Sequence, residues 1–235
     1  MKPLISVIVP TYNEEKYLEA TLRSIKNQDY GGKVEIIVSD GRSRDNTLKI
    51  ARKYANKIVI TKKKCPAVGR NAGASVAKGD ILVFVDADTL ILYNTLSELA
   101  KVFKKKEVVG VACLILPISN KIIDYLIYWF INNFIKFSIF LKTPCIPGIF
   151  CAYRKDAFKS VGGFNENLYF DEDLDLSKRI SKVGKIVFKE KILVFNSVRR
   201  FEKWGRIKTA YKYIFFTLTY FLTGRTYKNF YTPVR

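Results

Sequence analysis

A chain of 235 residues with 49% hydrophobic and 14% aromatic content has ample material for one well-filled domain, which excludes disorder. Its formal net charge of +20 calls for an anionic partner or surface: nucleic acid, anionic lipid or a phosphorylated small molecule. The chain has no histidine, and Cys65, Cys113, Cys145 and Cys151 show no C-x-x-C spacing, so zinc sites and histidine bases are excluded and acid–base chemistry falls to carboxylates. The four cysteines read as free thiols, Cys113 and Cys151 as small core residues.

In chain order, residues 4–9 form an apolar strand stopped by Pro10, followed by an amphipathic helix over 14–27 with Tyr17, Leu18, Leu22 and Ile25 on one side. The start of the chain lacks the charged and apolar regions and the cleavage site of a signal peptide, so the catalytic part is expected to face the cytosol. Residues 34–39 and 47–54 repeat the strand–loop–helix pattern, and strands over 57–61 and 81–85 flank a helix over 68–77. This alternation predicts parallel pairing with right-handed crossovers and a doubly wound nucleotide-binding half over residues 1–95. The run Ile81-Leu82-Val83-Phe84-Val85 reads as a strand buried on both faces and ends in Asp86 and Asp88, two carboxylates that repel unless a cation lies beside them.

A helix near 95–104, a strand over 108–116, a strand over 148–154, a short helix over 155–160 and an acidic-headed helix over 172–182 make up a second half, residues 96–200. Between them, residues 121–142 are apolar and aromatic, yet Asp124, Tyr128, Asn132 and Lys136 recur every four residues as a polar stripe. A helix lying in a membrane interface, or covering the cleft, fits this better than a spanning one. Gly162-Gly163-Phe164 reads as a turn close to ligand. From Lys182 onward there are thirteen basic residues against two acidic, more than half of the net charge. Residues 201–235 form a basic amphipathic segment in which Ile207, Tyr211, Ile214, Phe215, Leu218, Phe221 and Leu222 share a helical face. Its uninterrupted apolar part, 213–222, is about 15 Å long as a helix, too short for a bilayer core of ~30 Å and suited to lying on anionic lipid.

Four segments fall at strand ends or helix starts on one edge: 9–15, 39–47, 69–73 and 86–88. They offer an aromatic face, carboxylates, a guanidinium and a metal site, an inventory for a nucleoside diphosphate. Downstream, Asp171, Glu172 and Asp175 share helical spacing while Asp173 points elsewhere, and one of these carboxylates is placed to act as a general base near a substrate hydroxyl.

The stretches VIVPTYNEE, SDGRSRDNT, GRNAGASVAKGDILVFVDADT, PGIFCAYRKDAFKSVGGFNE and DEDLDLSKRI, in this order and over residues 4 to 200, resemble the family 2 glycosyltransferases. The resemblance implies an inverting enzyme of the GT-A fold: a Rossmann-like, doubly wound, mostly parallel α/β sheet with an acceptor-side extension, here followed by a C-terminal amphipathic helix. It implies that Pro10, Thr11 and Tyr12 flank the nucleoside, Asp40 binds the base or ribose, Arg70 lies near the nucleotide and Asp86 holds ribose or diphosphate. It further implies that Asp88 coordinates Mn2+ or Mg2+ and that Asp173 deprotonates the acceptor.

Two departures stand out. Many relatives have two acids where this chain has Ser39-Asp40, which leaves the base-binding position open by one residue. Many carry a histidine, often a further metal ligand, where this chain has Asn196, a weaker ligand, so that either the ion is held mainly by Asp88 and the diphosphate or metal preference shifts toward Mg2+. No Gln-x-x-Arg-Trp motif of processive synthases occurs, so a single transfer per encounter is expected. The expected partners are a UDP- or GDP-sugar, a lipid-linked or membrane acceptor and an anionic membrane surface, with the protein peripheral on the cytoplasmic face. A nucleotidyltransferase would need an N-terminal glycine-rich phosphate loop, which Pro10-Thr11-Tyr12-Asn13 is not. A non-catalytic lipid- or nucleic-acid-binding protein must account for a carboxylate cleft that repels phosphate backbones, and nucleic acid is not expected as a partner.

Overall fold

The computed structural model describes residues 2–62, 65–168 and 170–223, without the side chains of Ile214, Phe216, Leu218, Phe221 and Leu222. Four of the residues assigned to the C-terminal apolar stripe, Ile214, Leu218, Phe221 and Leu222, therefore lie outside the described side chains, as does all of the tail beyond Thr223.

Among the described residues one eight-stranded sheet organises the chain. Strands β1 (Ile5–Thr11), β2 (Val34–Asp40), β3 (Lys57–Ile60) and β4 (Ile81–Val85) pair in parallel, with β1 between β2 and β4. Helices α1 (Leu18–Lys26), α2 (Thr47–Tyr54) and α3 (Pro66–Val76) make the connections. Ile5, Val7, Ile8, Val9, Leu82, Val83, Phe84 and Val85 are fully buried, which explains why these strands read as apolar runs without alternation. Helix α3 lies close on β1 because Gly73 has no side chain: a Cβ there would overlap Ile8.

Beyond β4 the sheet becomes mixed, in the order β3-β2-β1-β4-β7-β6-β8-β5. Strand β7 (Phe150–Arg154) runs antiparallel to β4 and to β6 (Val108–Ile118), and β8 (Lys185–Ser197) is parallel to β6 with a register shift between Cys113 and Leu114. The short β5 (Thr89–Ile91) pairs antiparallel with β8, opposite Asn196, Phe195 and Val194. Sequence pattern misses β5 and β8. The first is too short to show a period, and the middle of the second is broken by Lys189, Glu190 and Lys191.

Helices α4 (Thr95–Val102), α5 (Ile122–Phe140), α6 (Lys155–Ser160), α7 (Glu172–Ile180), α8 (Arg199–Trp204) and α9 (Arg206–Thr223) complete the described fold. Helix α6 ends in Gly162 and Gly163, both with positive φ, and Gly163 N–H donates to the Phe158 carbonyl; the left-handed conformation is the reason for glycine at this helix end. All four cysteines are free and buried.

Strand order reverses at β1, whose neighbours β2 and β4 connect to opposite sides. The crevice beyond the carboxyl ends of these strands is where ligands of open α/β sheets bind. Thr11, Asp40 and Asp86 stand at that edge.

Candidate active site

The loops leaving β1 and β2 fasten each other. Asn13 takes a left-handed conformation (φ 53°), which asparagine tolerates, and its N–H donates to Ser43 Oγ at 2.8 Å while its Oδ1 accepts from Arg44 N–H at 2.9 Å. Glu14 N–H donates to Thr47 Oγ1 at 2.7 Å. Asp40 sits inside this knot: its carboxylate accepts from Thr11 Oγ1 at 2.9 Å, from Ser43 N–H at 2.8 Å and from Ser43 Oγ at 2.6 Å. Its side chain thus faces the loop, and the cavity wall at this point is made by its neighbours Ser39 and Gly41. Ser39 Oγ is buried and, among the described residues, has no hydrogen-bond partner.

Arg70, on α3, is the hub of the site. It is buried, and its guanidinium donates to Glu172 Oε1 at 2.7 Å, to Asp86 Oδ1 at 2.9 Å and to the Gly148 carbonyl at 3.2 Å, with the Phe164 ring 5.3 Å beneath. Burial alone would favour loss of its proton, but the Asp86 and Glu172 charges more than offset this and hold it cationic. Gly148 leaves room for it, since a Cβ there would overlap the guanidinium. The Gly162-Gly163-Phe164 turn serves this hub from behind. Asn71 clasps Phe164 through both its amide groups, at 2.8 and 2.9 Å, and Phe164 packs edge-on against Phe84 of β4.

Asp88 follows β4 and is buried. Its Oδ2 lies 2.7 Å from Arg199 Nε, and its Oδ1 is 3.4 Å from the Asn196 amide nitrogen. Asn196, on β8, donates to Thr89 Oγ1 at 3.0 Å, and its Oδ1 accepts from Tyr128 O–H at 2.7 Å. The Asp88 carboxyl is pushed above the usual carboxylate range by burial and by the neighbouring Asp86 charge, with Arg199 opposing. Arg199 also forks onto Glu14, at 2.6 and 3.1 Å.

Helix α7 begins at the opposite wall. Asp173 accepts from Gly148 N–H in a short hydrogen bond and from Leu174 N–H at 2.9 Å, and its carboxyl is raised by burial against the pull of Arg70. Asp171, left-handed at φ 60°, accepts from Thr217 Oγ1 of α9 at 3.1 Å, and its buried Oδ2 has no hydrogen-bond partner among the described residues. Burial pushes Asp171 up to about 7. Asp175 turns away from the cavity, to Arg179 and to the Tyr220 hydroxyl.

A single cavity of about 330 Å³ is lined by Pro10, Thr11, Tyr12, Arg70, Asp86, Asp88, Asp173 and Asn196. Asp171 and Glu172 line the same cavity, whereas three of the expectations from the sequence fall outside it: the Asp40 carboxylate is turned into its loop, Asp175 faces Arg179 and Tyr220, and the Gly162-Gly163-Phe164 turn lies behind Arg70. Sequence reasoning gave no site role to Glu14, Tyr128 or Gly148; Tyr128 stood out only as a member of the α5 polar stripe, whose direction periodicity does not give. The donor set fits a hard divalent ion in part: the Asp88 and Asp86 carboxylates are the oxygen ligands Mg2+ and Mn2+ prefer. Among the described residues no group of three or more acidic or thiol side chains forms an all-protein cage, so such an ion would take most of its ligands from water and phosphate.

A nucleotide-sized crevice at the β1 switch point, acidic at one wall and basic at its floor, defines the architecture of a GT-A glycosyltransferase. Residues 6–162 match the family described as glycosyl transferase family 2, and the chain belongs to that family. An uncharacterized glycosyltransferase of Haemophilus influenzae is 28% identical across 94% of this chain and 97% of its own length. A Campylobacter jejuni GalNAc(5)-diNAcBac-PP-undecaprenol β-1,3-glucosyltransferase is 36% identical over 41% of this chain and 33% of its own. Among solved structures, a mannosyltransferase from Pyrobaculum calidifontis in complex with GDP-Man and Mn2+ superposes with a TM-score of 0.70 at 24% identity, over 91% of this chain and 65% of that one. This likeness extends the fold match beyond the region of the family match, and the chain spans about two thirds of that protein.

Proposed function

We propose that this glycosyltransferase moves one sugar from a UDP- or GDP-sugar to a hydroxyl or phosphate of a membrane-borne, polyprenyl-linked acceptor, with inversion at the anomeric carbon. The observation that carries the reading is the convergence of the Pro10–Tyr12 wall, the Asp86/Asp88 pair and Asp173 on one cavity. Pro10, Thr11 and Tyr12 bound the nucleoside side, together with Ser39 and Gly41 in place of the Asp40 carboxylate. Arg70 fixes Asp86 toward the ribose or diphosphate. Asp173 takes the acceptor proton as the acceptor oxygen attacks the anomeric carbon. The bond to the leaving diphosphate then breaks on the opposite face, its electron pair staying with the phosphate. A carboxyl whose proton affinity is raised by burial suits that task better than an ordinary one. Asp88, with Asp86, would hold Mn2+ or Mg2+, which when bound neutralises charge on the diphosphate. Asn196 Oδ1 is engaged by Tyr128, so Asn196 contributes chiefly by orienting Asp88.

On this reading residues 1–95 serve the donor and 96–200 the acceptor, with 201–235 as a basic attachment. The membrane part rests on α5, which is built inside out. Its polar stripe, Asp124, Tyr128 and Asn132, is buried, while Ile122, Trp129, Phe130, Phe137 and Phe140 face outward, Ile122 and Phe140 each 80% exposed. So contiguous an apolar face marks an interaction surface. The lysines at 121 and 142 flank it, and α9 adds exposed Ile207 and Tyr211 beside Lys208 and Lys212. Among the described residues no helix is long and apolar enough to cross a membrane, so contact with lipid would be by faces lying in the interface. The cytoplasmic face of an anionic membrane fits the charge. The undecaprenol diphosphate in the name of the Campylobacter relative supports a lipid-linked acceptor.

Thermal unfolding with Mn2+ or Mg2+ and a panel of UDP, GDP and CDP tests the donor site. A nucleotide at a hundred times its Kd adds about 2.7 kcal/mol, or roughly 5–11 °C for a chain of this size. A metal-dependent shift for UDP or GDP that is lost in Asp88→Ala is expected. No shift with any nucleotide would overturn the reading.

A further inference from the structure

Asp88 already has a cation. Arg199 Nε stands 2.7 Å from Asp88 Oδ2, the two terminal nitrogens of the same guanidinium are held by Glu14 at 2.6 and 3.1 Å, and the Tyr17 ring lies 4.8 Å from its centre. All three charged side chains are at most 9% exposed. The two contacts differ in kind. Glu14 receives a forked pair of hydrogen bonds, whereas Nε approaches Asp88 as an ion and, among the described residues, has no hydrogen-bond partner. The guanidinium is therefore hydrogen-bonded to Glu14 and ion-paired with Asp88. A divalent ion bound to the same Asp88 oxygen would stand within a few ångströms of a fixed positive charge in a poorly solvated pocket, where repulsion is strong.

We propose that Arg199, tethered by Glu14, is a competing cation that holds Asp88 in the free enzyme, keeps divalent affinity low until nucleotide diphosphate arrives, and then turns from Asp88 to the diphosphate oxygens. Arg199 lines the same cavity, so the diphosphate is within its compass, and Glu14 keeps its charge compensated when it leaves Asp88. Metal and nucleotide then load together, each making room for the other, and Arg199 acts as a positioning residue for both. The inference rests on the donor site proposed above.

The test is Mn2+ binding followed by electron paramagnetic resonance of the free ion, without nucleotide and with whichever of UDP or GDP shifts the unfolding temperature. Arg199→Gln should bind Mn2+ alone about tenfold or more tightly than wild type, a modest figure for removing a unit charge from beside a divalent one. The factor by which nucleotide improves Mn2+ binding should shrink. Arg199→Lys, which keeps the charge, should return the Mn2+-alone affinity toward wild type. Because Arg199→Gln strands the buried Glu14 carboxylate, the pair Glu14→Gln/Arg199→Gln is measured beside it and should show the same tightening in a folded protein. Unchanged or weaker Mn2+-alone affinity in both variants, with wild type still binding Mn2+ and nucleotide together, overturns the inference and spares the proposed function. Failure of wild type to bind either overturns both.

Discussion

Asp171 shows how far a residue's behaviour departs from its type. Its carboxyl is buried at the head of α7, one oxygen has no hydrogen-bond partner among the described residues, and burial, with the Asp173 and Glu172 charges adding to it, pushes it up to about 7. An acid whose folded proton affinity exceeds its unfolded one stabilises the fold while protonated, and that contribution is lost as pH rises through the folded value. Its share of stability should therefore fall by up to about 1.4 kcal/mol per pH unit between about pH 4 and about 7. Urea unfolding of wild type and Asp171→Asn across this range checks it: the difference between the two curves should carry that slope, and parallel curves would contradict it. The carboxylates themselves were legible in the sequence, Asp86 and Asp88 as the abrupt end of an apolar strand and Asp173 as part of an acidic helix head. Their partners were not. Arg70 meets Glu172 from 102 positions away and Arg199 meets Glu14 from 185, separations at which no local pattern reports contact. Asp40 reads as a binding residue for the same reason that it is a turn residue: a short carboxylate at a strand end satisfies loop donors as readily as a ligand.

Among the elements, α5 was the most informative and the most easily misread. The four-residue recurrence of Asp124, Tyr128, Asn132 and Lys136 is plain in the sequence, but periodicity gives a stripe without saying which way it faces. In the fold the first three turn inward, each to a specific need. Asp124 receives a forked pair of bonds from Arg206 at 2.7 and 2.8 Å, Tyr128 donates to Asn196, and Asn132 satisfies both the N–H and the carbonyl of Ile115 on β6. Lys136 alone pairs near the surface, with Glu190. Polar residues thus dock the helix to α9 and to the sheet, and the aromatic residues Trp129, Phe130, Phe137 and Phe140 are left outside. Replacing Trp129 and Phe137 by glutamate should cut co-sedimentation with phosphatidylserine-containing vesicles by about tenfold or more, with little change in unfolding temperature. Equal sedimentation of variant and wild type would remove the membrane from the account. The same reasoning explains β8: buried residues alternate, as Ile192, Val194 and Asn196, only beyond the charged Lys189–Lys191 break, where its register against β6 also shifts.

For the whole molecule, charge and fold answer different questions. A net charge of +20 concentrated toward the C-terminus sets which surfaces attract the protein, and says little about the reaction. The reaction class follows from the membership of family 2 that the match over residues 6–162 establishes, and the mixed sheet brings the Pro10–Tyr12 wall and a carboxylate wall to one crevice. Asp173 is proposed as the base of an inverting transfer. Incubating the enzyme with the donor selected by thermal unfolding and a polyprenyl-phosphate or polyprenyl-diphosphate acceptor in vesicles, and following the anomeric proton of the product by NMR, tests this role. Wild type should give product of inverted configuration, and Asp173→Asn should lower kcat by about 10²–10⁴-fold while leaving nucleotide binding within a few-fold. A retained configuration, or an Asp173→Asn enzyme that turns over at nearly the wild-type rate, would contradict it.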